Sequence, residues 1–459
     1  MVTAITVTAI TILTKKKYTL MKFYDRKHEL ALFADILRRS RSEAQMTVLV
    51  GRRRIGKTEL ALRCGGEEPL LYFFVARKSE AMLLRDFCEE TERKLAVPVG
   101  ECASFASLFR QLLFISQSRP FTLVIDEFQD WTRINPSVFS EMQREWDLAR
   151  RGSHMNLVIS GSIYSLMHRI FEDSKEPLFS RANRIVNLQP FSTGVLREII
   201  ADHNPGYTPA DLLSLYTLTH GVAWYVGMFM DNAATTRQAM LDMLTEENSP
   251  FIGEGKNLLV EEFGADYANY FSILACIASG EMTRAQIENM TGIKEIGGYL
   301  ERLRTHYNII DRHTPVFAKP KTKNVRYIIS DNFLTVWFRF FYKYQSFIES
   351  GALMQLRRIV NRDMSVVEGM MLERYFRQRL RESQLYTRIG GYWDRRGENE
   401  IDIVAVNEID GTADIYEVKK QSDRYDERLL RAKVDAMLTA TPELRGMQLR
   451  LGCLSMDNM

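Results

Sequence analysis

The feature that most restricts this chain is the run Gly51-Arg52-Arg53-Arg54-Ile55-Gly56-Lys57-Thr58, which leads into Glu59. Glycines at its first and sixth positions let backbone N–H groups turn inward around an anion. Lys57 would set a positive charge on terminal phosphates, and the Thr58 hydroxyl is a hard oxygen ligand for Mg²⁺. An apolar run, Met46–Val50, precedes the loop, and a helix is expected over Glu59–Arg63 with its positive end toward the same phosphates. Strand, glycine loop and helix in that order predict a phosphate-binding turn at the edge of a sheet.

The rest of that sheet is legible as short apolar runs: Leu70–Val75, Phe121–Ile125, Asn156–Ser160 and Arg184–Leu188. Helical segments such as Met82–Leu95 alternate with them, which predicts a parallel sheet covered on both faces. The third run ends in Asp126-Glu127. Asp126 is placed to hold magnesium through water, and Glu127 to polarise an attacking water. Ser160 or Ser162 either reaches a γ-phosphate or simply ends its strand. Arg181, in Pro177-Leu-Phe-Ser-Arg181, is either a charge-stabilising finger or a solvated arginine.

At 459 residues the chain has room for about three domains. With 46% hydrophobic and 26% charged residues it can bury cores throughout. Lys and Arg number 61 against 58 Asp and Glu, a net +3, so a wholly basic nucleic-acid binder is excluded and any basic surface must be local. Five scattered cysteines without a CxxC pair suit a reducing cytoplasm rather than a disulfide scaffold or zinc site. No membrane span or secretory signal is expected. Residues 1–20, rich in threonine, read as a tail or as an added edge strand.

After Pro190 the strands stop. Residues 191–265 read as a helical lid on the core at 21–190. Residues 266–330 read as three helices and a hairpin whose strands are Val316-Phe317 and Tyr327–Ile329. Residues 281–330 hold nine Lys/Arg and five Asp/Glu, and Arg312, Lys319, Lys321, Lys323 and Arg326 cluster at the hairpin. This is the helix-turn-helix plus wing arrangement, with Arg302 and Arg304 on the third helix. It serves either DNA or a protein partner. Residues 331–365 form an aromatic-rich helical connector, and 366–459 a small α/β unit.

In that last unit Glu400-Ile-Asp-Ile and Glu417-Val-Lys each alternate, so Asp402 lies on one face of its strand and Glu417 and Lys419 share one face of theirs. If Asp410-Gly411 centres the hairpin, Asp402 sits across from Lys419, with Glu417 diagonal; a slide of two residues keeps all three on one face. Two carboxylates beside a lysine suit metal-assisted phosphodiester hydrolysis, with Glu373 on the preceding helix completing the Mg²⁺ shell. An amphipathic hairpin with a solvated charged face has the same pattern.

Several of these runs resemble the archaeal-type ATPases of the AAA+/STAND branch. They are Phe23-Tyr-Asp-Arg-Lys-His-Glu-Leu30, the phosphate loop, Leu123-Val-Ile-Asp-Glu-Phe-Gln129, Val158-Ile-Ser-Gly-Ser162 and Pro177–Arg181. The resemblance extends over residues 22–459 and includes a C-terminal domain similar to PD-(D/E)xK nucleases, with Asp402 and Glu417-Val-Lys419 at the matching positions. It implies an α/β P-loop AAA+ core, a helical lid, a winged helix and a nuclease-like tail, with ATP and Mg²⁺ as cofactors. Two positions depart from the family pattern: Asp25 stands where glycine is usual, and His220-Gly221-Val222-Ala223 replaces Gly-Gly-x-Pro in the lid. The expectation is an ATP-hydrolysing protein acting on or with DNA through the winged helix and tail, with a Mg²⁺-dependent nuclease activity in that tail. The alternatives are a nucleotide-dependent regulatory switch with protein partners and a DNA-binding regulator that does not cut. An arginine finger acting in trans would require a second copy of the chain.

Overall fold

The computed structural model describes residues 21–263 and 267–459; the expected tail at 1–20 and the expected lid boundary at 265 lie outside the described residues. Five strands, β1 (Gln45–Val50), β2 (Leu70–Phe74), β3 (Phe121–Asp126), β4 (Met155–Ser160) and β5 (Arg184–Asn187), pair in the order β2-β3-β4-β1-β5. Every pairing is parallel. Alternate residues point to opposite faces, and in the inner strands β1, β3 and β4 both faces are buried, while the edge strand β5 is largely exposed. Val48, Ile125 and Ile159 pack with helices Glu80–Leu95, Phe105–Ser118 and Ser137–Ala149. Leu49, Val124 and Val158 belong to the core shared with the helical half. Helix Phe105–Ser118, opened by a capping box between Ser104 and Ser107, is an element the strand-centred reading omits.

Five helices follow: Thr193–His203, Pro209–Thr219, Ala223–Asp231, Arg237–Leu244 and Pro250–Phe263. Pro209–Thr219 carries apolar side chains on most of its surface and is buried all round. The next unit has helices Tyr267–Ile277, Arg284–Thr291 and Gly297–Glu301, the last running on into a wider turn at Arg302–His306. Its hairpin pairs β6 (Ile310–His313) with β7 (Arg326–Ile329). The expected first strand at Val316-Phe317 is not part of this pair. Val316 is buried against the C-terminal sheet, and its N–H donates to the Gly391 carbonyl at 2.8 Å.

A single helix, Leu353–Glu382, crosses the expected domain boundary at 365. Nothing near residue 365 caps or breaks it, and Leu356, Val360, Met364, Val367 and Met371 continue one buried stripe through it. The helix is tied to the lid by Glu368, which accepts from Ser214 Oγ at 3.1 Å and from Arg237 at 2.7 Å. Lys420 also pairs with Glu368, at 3.2 Å, which ties the end of β10 to this helix.

The C-terminal sheet holds β8 (Arg388–Trp393), β9 (Glu400–Asn407), β10 (Thr412–Val418) and β11 (Gln448–Leu454) in the order β11-β10-β9-β8. Helix Glu427–Ala440 joins β10 to its parallel neighbour β11. The sequence reading missed β8 and β11. Gly390-Gly391 reads as a break inside β8, and β11 is only half-buried. Among the described residues no helix is long and apolar enough to cross a membrane.

Candidate functional site

Strand order places the site. β3, β4 and β1 are neighbours, so Asp126, the Ser160–Ser162 turn and the glycine loop all open on the carboxyl edge of the sheet. Gly51 has φ 152° and Gly56 φ 97°. A Cβ on Gly51 would lie 2.9 Å from the Leu188 carbonyl oxygen, so only glycine lets the loop close here. Lys57 is buried, and its Nζ donates to the carbonyls of Gly51 at 2.8 Å and Arg52 at 3.0 Å. Burial lowers its pKa to about 8, with Glu127 and Asp126 partly offsetting the loss. The helix behind the loop, Lys57–Ala61, has five residues and starts two residues before the Glu59–Arg63 span expected. An anion here is therefore met by loop N–H groups and Lys57 more than by a helix dipole.

Thr58 Oγ1 donates to Asp126 Oδ2 at 2.7 Å, and the Tyr72 hydroxyl donates to the same oxygen at 2.9 Å. Glu127, at φ 54°, accepts from Ser162 Oγ at 2.6 Å and from the Gln129 side-chain amide. Hydroxyl and carboxylate side by side are the hard-oxygen donors that suit Mg²⁺. Of the two serines, Ser162 reaches the acidic pair. Ser160, the expected nucleotide contact, is fully buried at the end of β4, and its hydroxyl has no hydrogen-bond partner among the described residues.

The loop's arginines hold it to the helical half. Arg54 meets Glu254 through Nε at 2.5 Å and Nη2 at 3.0 Å, and lies 3.8 Å over the Trp224 ring. The Trp224 N–H donates to the Arg54 carbonyl at 3.1 Å. Arg52 pairs with Asp331, just after the hairpin, and Arg53 lines the cavity beyond it. Among the other expected nucleotide contacts, Ile55 is core and Glu59 faces solvent, paired with Arg63 at 2.5 Å. Arg181 is paired with Asp147 at 3.0 Å and the Phe179 carbonyl at 2.9 Å, and with no loop residue. Glu254, Asp331, Trp224 and Tyr72 lay outside the sequence reading because no local motif marks them.

The two departures from the family pattern fall on strained backbone. Asp25 has φ 58° and His220 φ 51°, the left-handed region glycine enters freely. Gly221, at φ 73°, has no room for a side chain: a Cβ would sit 2.5 Å from the Phe191 carbonyl oxygen. Burial, with the charges of Arg52 and Arg374 nearby, lowers the pKa of His220 to about 3 and keeps it neutral.

In the C-terminal sheet Ile403 is level with Tyr416, which sets Asp402 beside Glu417 and not across from Lys419. The register differs from expectation by two residues because the turn is longer. Asn407 Oδ1 accepts the N–H groups of Ile409 and Asp410, both at 3.0 Å, and closes a loop over residues 408–411. Asp402 Oδ2 accepts from the Val418 N–H at 2.7 Å. Glu417 Oε1 accepts from Lys419 at 3.2 Å and Lys433 at 2.8 Å; Lys433 was not foreseen. Glu373 pairs with Arg377. Burial, opposed by Arg377 and reinforced by Asp402, raises the pKa of Glu373 to about 7, and burial also raises that of Asp402. Among the described residues no group of three or more His, Cys, Asp or Glu is gathered to hold a metal, so the expected three-carboxylate shell is not assembled. Asp402 and Glu417 remain as a pair, and Mg²⁺ is often held by one or two carboxylates plus substrate phosphates.

The basic hairpin is partly docked. Arg326 pairs with Glu400 at 2.7 Å and Glu281 at 3.4 Å and lies 4.5 Å over the Trp393 ring. Lys319, Lys321 and Lys323 stay exposed. Burial works against the charge of Glu281, yet the hydrogen bond to His313, with Arg377 and Arg326 nearby, holds its pKa at about 2.

Residues 337–430 match the DUF234 family, archaea bacterial proteins of unknown function. An uncharacterized protein of Methanocaldococcus jannaschii is 26% identical over 404 residues, covering 86% of this chain and 87% of that protein. A Walker-type ATPase of Pyrococcus abyssi superposes with a TM-score of 0.53 at 18% identity, over 69% of this chain and 96% of that one. The ORC2 protein of Aeropyrum pernix, solved with ADPNP and ADP, covers 76% of this chain and 98% of its own with a TM-score of 0.44 at 14% identity. The first superposition shows the fold alone: an α/β core on a parallel sheet with a glycine loop at its carboxyl edge.

Proposed function

We propose that this chain binds and hydrolyses ATP and acts with DNA. The observation that carries the reading is the 2.7 Å contact between Thr58 and Asp126, which joins the glycine loop to an acid-ended strand. In this reading Lys57 leaves the Gly51 and Arg52 carbonyls to meet the terminal phosphates, and the loop N–H groups orient them. Thr58 and Asp126 hold Mg²⁺, which neutralises phosphate charge when bound. Glu127, steadied by Ser162 and Gln129, accepts a proton from the attacking water. Asp25 and His220 tune how tightly the entry segment and lid close. The fold-sharing Pyrococcus protein is described as a Walker-type ATPase, in keeping with this.

DNA contact rests on the exposed Lys319, Lys321 and Lys323. The finer proposal is a second phosphodiester site in the tail, with Asp402 and Glu417 holding Mg²⁺ and Lys419 offsetting charge. The test is purified protein with ATP, Mg²⁺ and linear or circular DNA, scored for phosphate release and strand scission. Phosphate release by the Lys57→Ala variant at the wild-type rate would remove the central assignment.

A regulatory switch is the second reading, and the pairs Arg52–Asp331 and Arg54–Glu254 favour it. They make the loop a latch for the lid and the hairpin exit, so a nucleotide that moved the loop would move both. Proteolysis with and without a non-hydrolysable ATP analogue tests this; an unchanged cleavage pattern around 254 and 331 counts against it.

A further inference from the structure

Between the ATPase core, the hairpin unit and the long helix lies a cavity of about 670 Å³. It borders the phosphate loop at Arg52 and Arg53, but Lys57, Thr58, Asp126 and Glu127 do not line it. It therefore adjoins the phosphate cradle through Arg52, Arg53 and Ser162 and extends away from it. Its size is within the roughly 300–1,000 Å³ range of small-ligand pockets. Its lining is apolar at Leu258, Leu259, Ile309 and Leu334 and includes the rings of Tyr216 and Tyr307. Arg374, Arg377 and Arg381 give it an arginine wall: they fall three and four residues apart on helix Leu353–Glu382 and so share one side of it, and the Tyr216 hydroxyl donates to Gln378 on the same helix at 2.9 Å.

Charge bookkeeping shows what this wall lacks. Five arginines line the cavity against four carboxylates, Glu262, Asp311, Asp331 and Glu382. Asp331 is taken by Arg52. Glu382 accepts from Thr193 and Gln378, and Glu262 from the Tyr164 N–H and Ser165. Arg377 is held by Glu373 and the Asp402 carbonyl. Arg374 has only a hydrogen bond to Asn332 Oδ1, at 3.2 Å, and Arg381 has no side-chain hydrogen bond or ion pair among the described residues. Two guanidinium groups, the half-buried Arg374 and the exposed Arg381, thus line a half-open cavity in which Asp311 is the sole uncommitted acid among the described residues. Burial disfavours the charge of both, and the neighbouring Arg377 adds to that. The Nδ1 of neutral His220, also on this wall, has no hydrogen-bond partner among the described residues.

We propose that this cavity is a second ligand site, for a small phosphate ester of nucleotide size. Arg374 and Arg381 grip the phosphate, the tyrosine-bearing wall takes the organic part, and Arg52 and Arg53 link occupancy to the phosphate loop. Planar guanidinium forks match phosphate oxygens in pairs, which a point-charge lysine does not. A ligand that drew Arg52 from Asp331 would loosen the loop from the hairpin exit, so the site is placed to regulate the ATPase core. The site stands on the cavity alone and does not require the ATPase reading.

The test is calorimetric titration of the full chain, saturated with Mg²⁺ and a non-hydrolysable ATP analogue, with a 5′-phosphorylated thymidine dinucleotide. The expected result is one equivalent bound, with affinity falling at least tenfold in Arg374→Gln/Arg381→Gln and several-fold in Arg381→Gln alone. Inorganic pyrophosphate binding with the same arginine dependence would support the phosphate-led recognition. Binding that is absent in the wild type, unchanged in both variants or equal for the unphosphorylated dinucleotide overturns the proposal. Unchanged binding in both variants would assign the dinucleotide to the exposed lysines. Because Arg381 is exposed and unpaired, its variant tests the site even if the double variant fails to fold. A wild type that takes up the dinucleotide but not the ATP analogue would sink the ATPase reading and leave this one standing.

Discussion

The phosphate loop and the C-terminal carboxylates are both charged sites at sheet edges, yet they are built in opposite ways. At the loop, Thr58 and Asp126 face each other and Lys57 is parked on two carbonyls it can leave. The charges are complementary to something absent from the chain itself. In the tail, Glu417 is already neutralised by Lys419 and Lys433, Glu373 by Arg377, and Asp402 is tied to the Val418 N–H. Most of the charge there is answered internally, and Glu417 Oε2 is the carboxylate oxygen left without a hydrogen-bond partner among the described residues. The lesson is that residue types at the right spacing do not by themselves make a ready site; it matters whether neighbours have used up their charge.

Four measurements would break or sharpen this contrast. Lys57→Ala should cut ATP turnover by about 100-fold or more, since Lys57 is the buried cation whose Nζ lies against the loop carbonyls. Measured phosphate release within a few-fold of wild type would make the loop as inert as the tail. Gly51→Ala forces a Cβ to 2.9 Å from the Leu188 carbonyl and should weaken ATP binding by about 30-fold, roughly 2 kcal/mol. Equilibrium dialysis reads this directly.

The third measurement is pH dependence. Free Lys57 titrates at about 8, below the ordinary 10.5, because its charged form is penalised by burial. Folding stability therefore gains as pH rises from about 8 to 10.5, where the folded state holds fewer protons than the unfolded one. Phosphate binding needs the charged lysine, so ATP affinity should be steady below about pH 7 and fall about tenfold between pH 7 and 9. A flat profile would show that Lys57 is charged at all these pH values. The smallest effect is expected in the tail. Asp402 carries a raised pKa, so its ionised form is penalised above the unfolded value. Asp402→Asn should leave stability within about 1 kcal/mol, or slightly higher, while removing any Mg²⁺-dependent DNA scission. A loss of several kcal/mol on thermal melting would mean the carboxylate is structural.

All five core strands fall within a residue of expectation; β1, β3 and β4 were legible because burial on both faces writes a strand as a nearly unbroken apolar run, whereas β5 is largely exposed. The P-loop was legible because its geometry demands glycine at two fixed positions. Helix Leu353–Glu382 was divided in the sequence reading because an aromatic-rich stretch and a charged stretch looked like two units, whereas the buried stripe runs through both. The hairpin register failed on Asn407, whose side chain lengthens the turn. Ser162 and Ser160 could not be separated in sequence, since which hydroxyl leaves the strand end depends on the turn that follows. The cavity arginines form a helical stripe at 374, 377 and 381 that no local motif marks, because what they line is assembled from distant segments such as Arg52, Tyr216 and Asp311.

One contact reaches further than its size. The Val316 N–H bonds the Gly391 carbonyl, and Asn324 exchanges hydrogen bonds with Trp393 through its side-chain amide at 3.2 and 2.9 Å. The lysine-bearing tip is thereby fastened to the edge strand that neighbours Asp402. A polynucleotide caught by the tip would be carried at a fixed offset from the tail's acidic pair, like a workpiece clamped beside its tool. Rotation of the tip could not occur without taking the whole C-terminal sheet along.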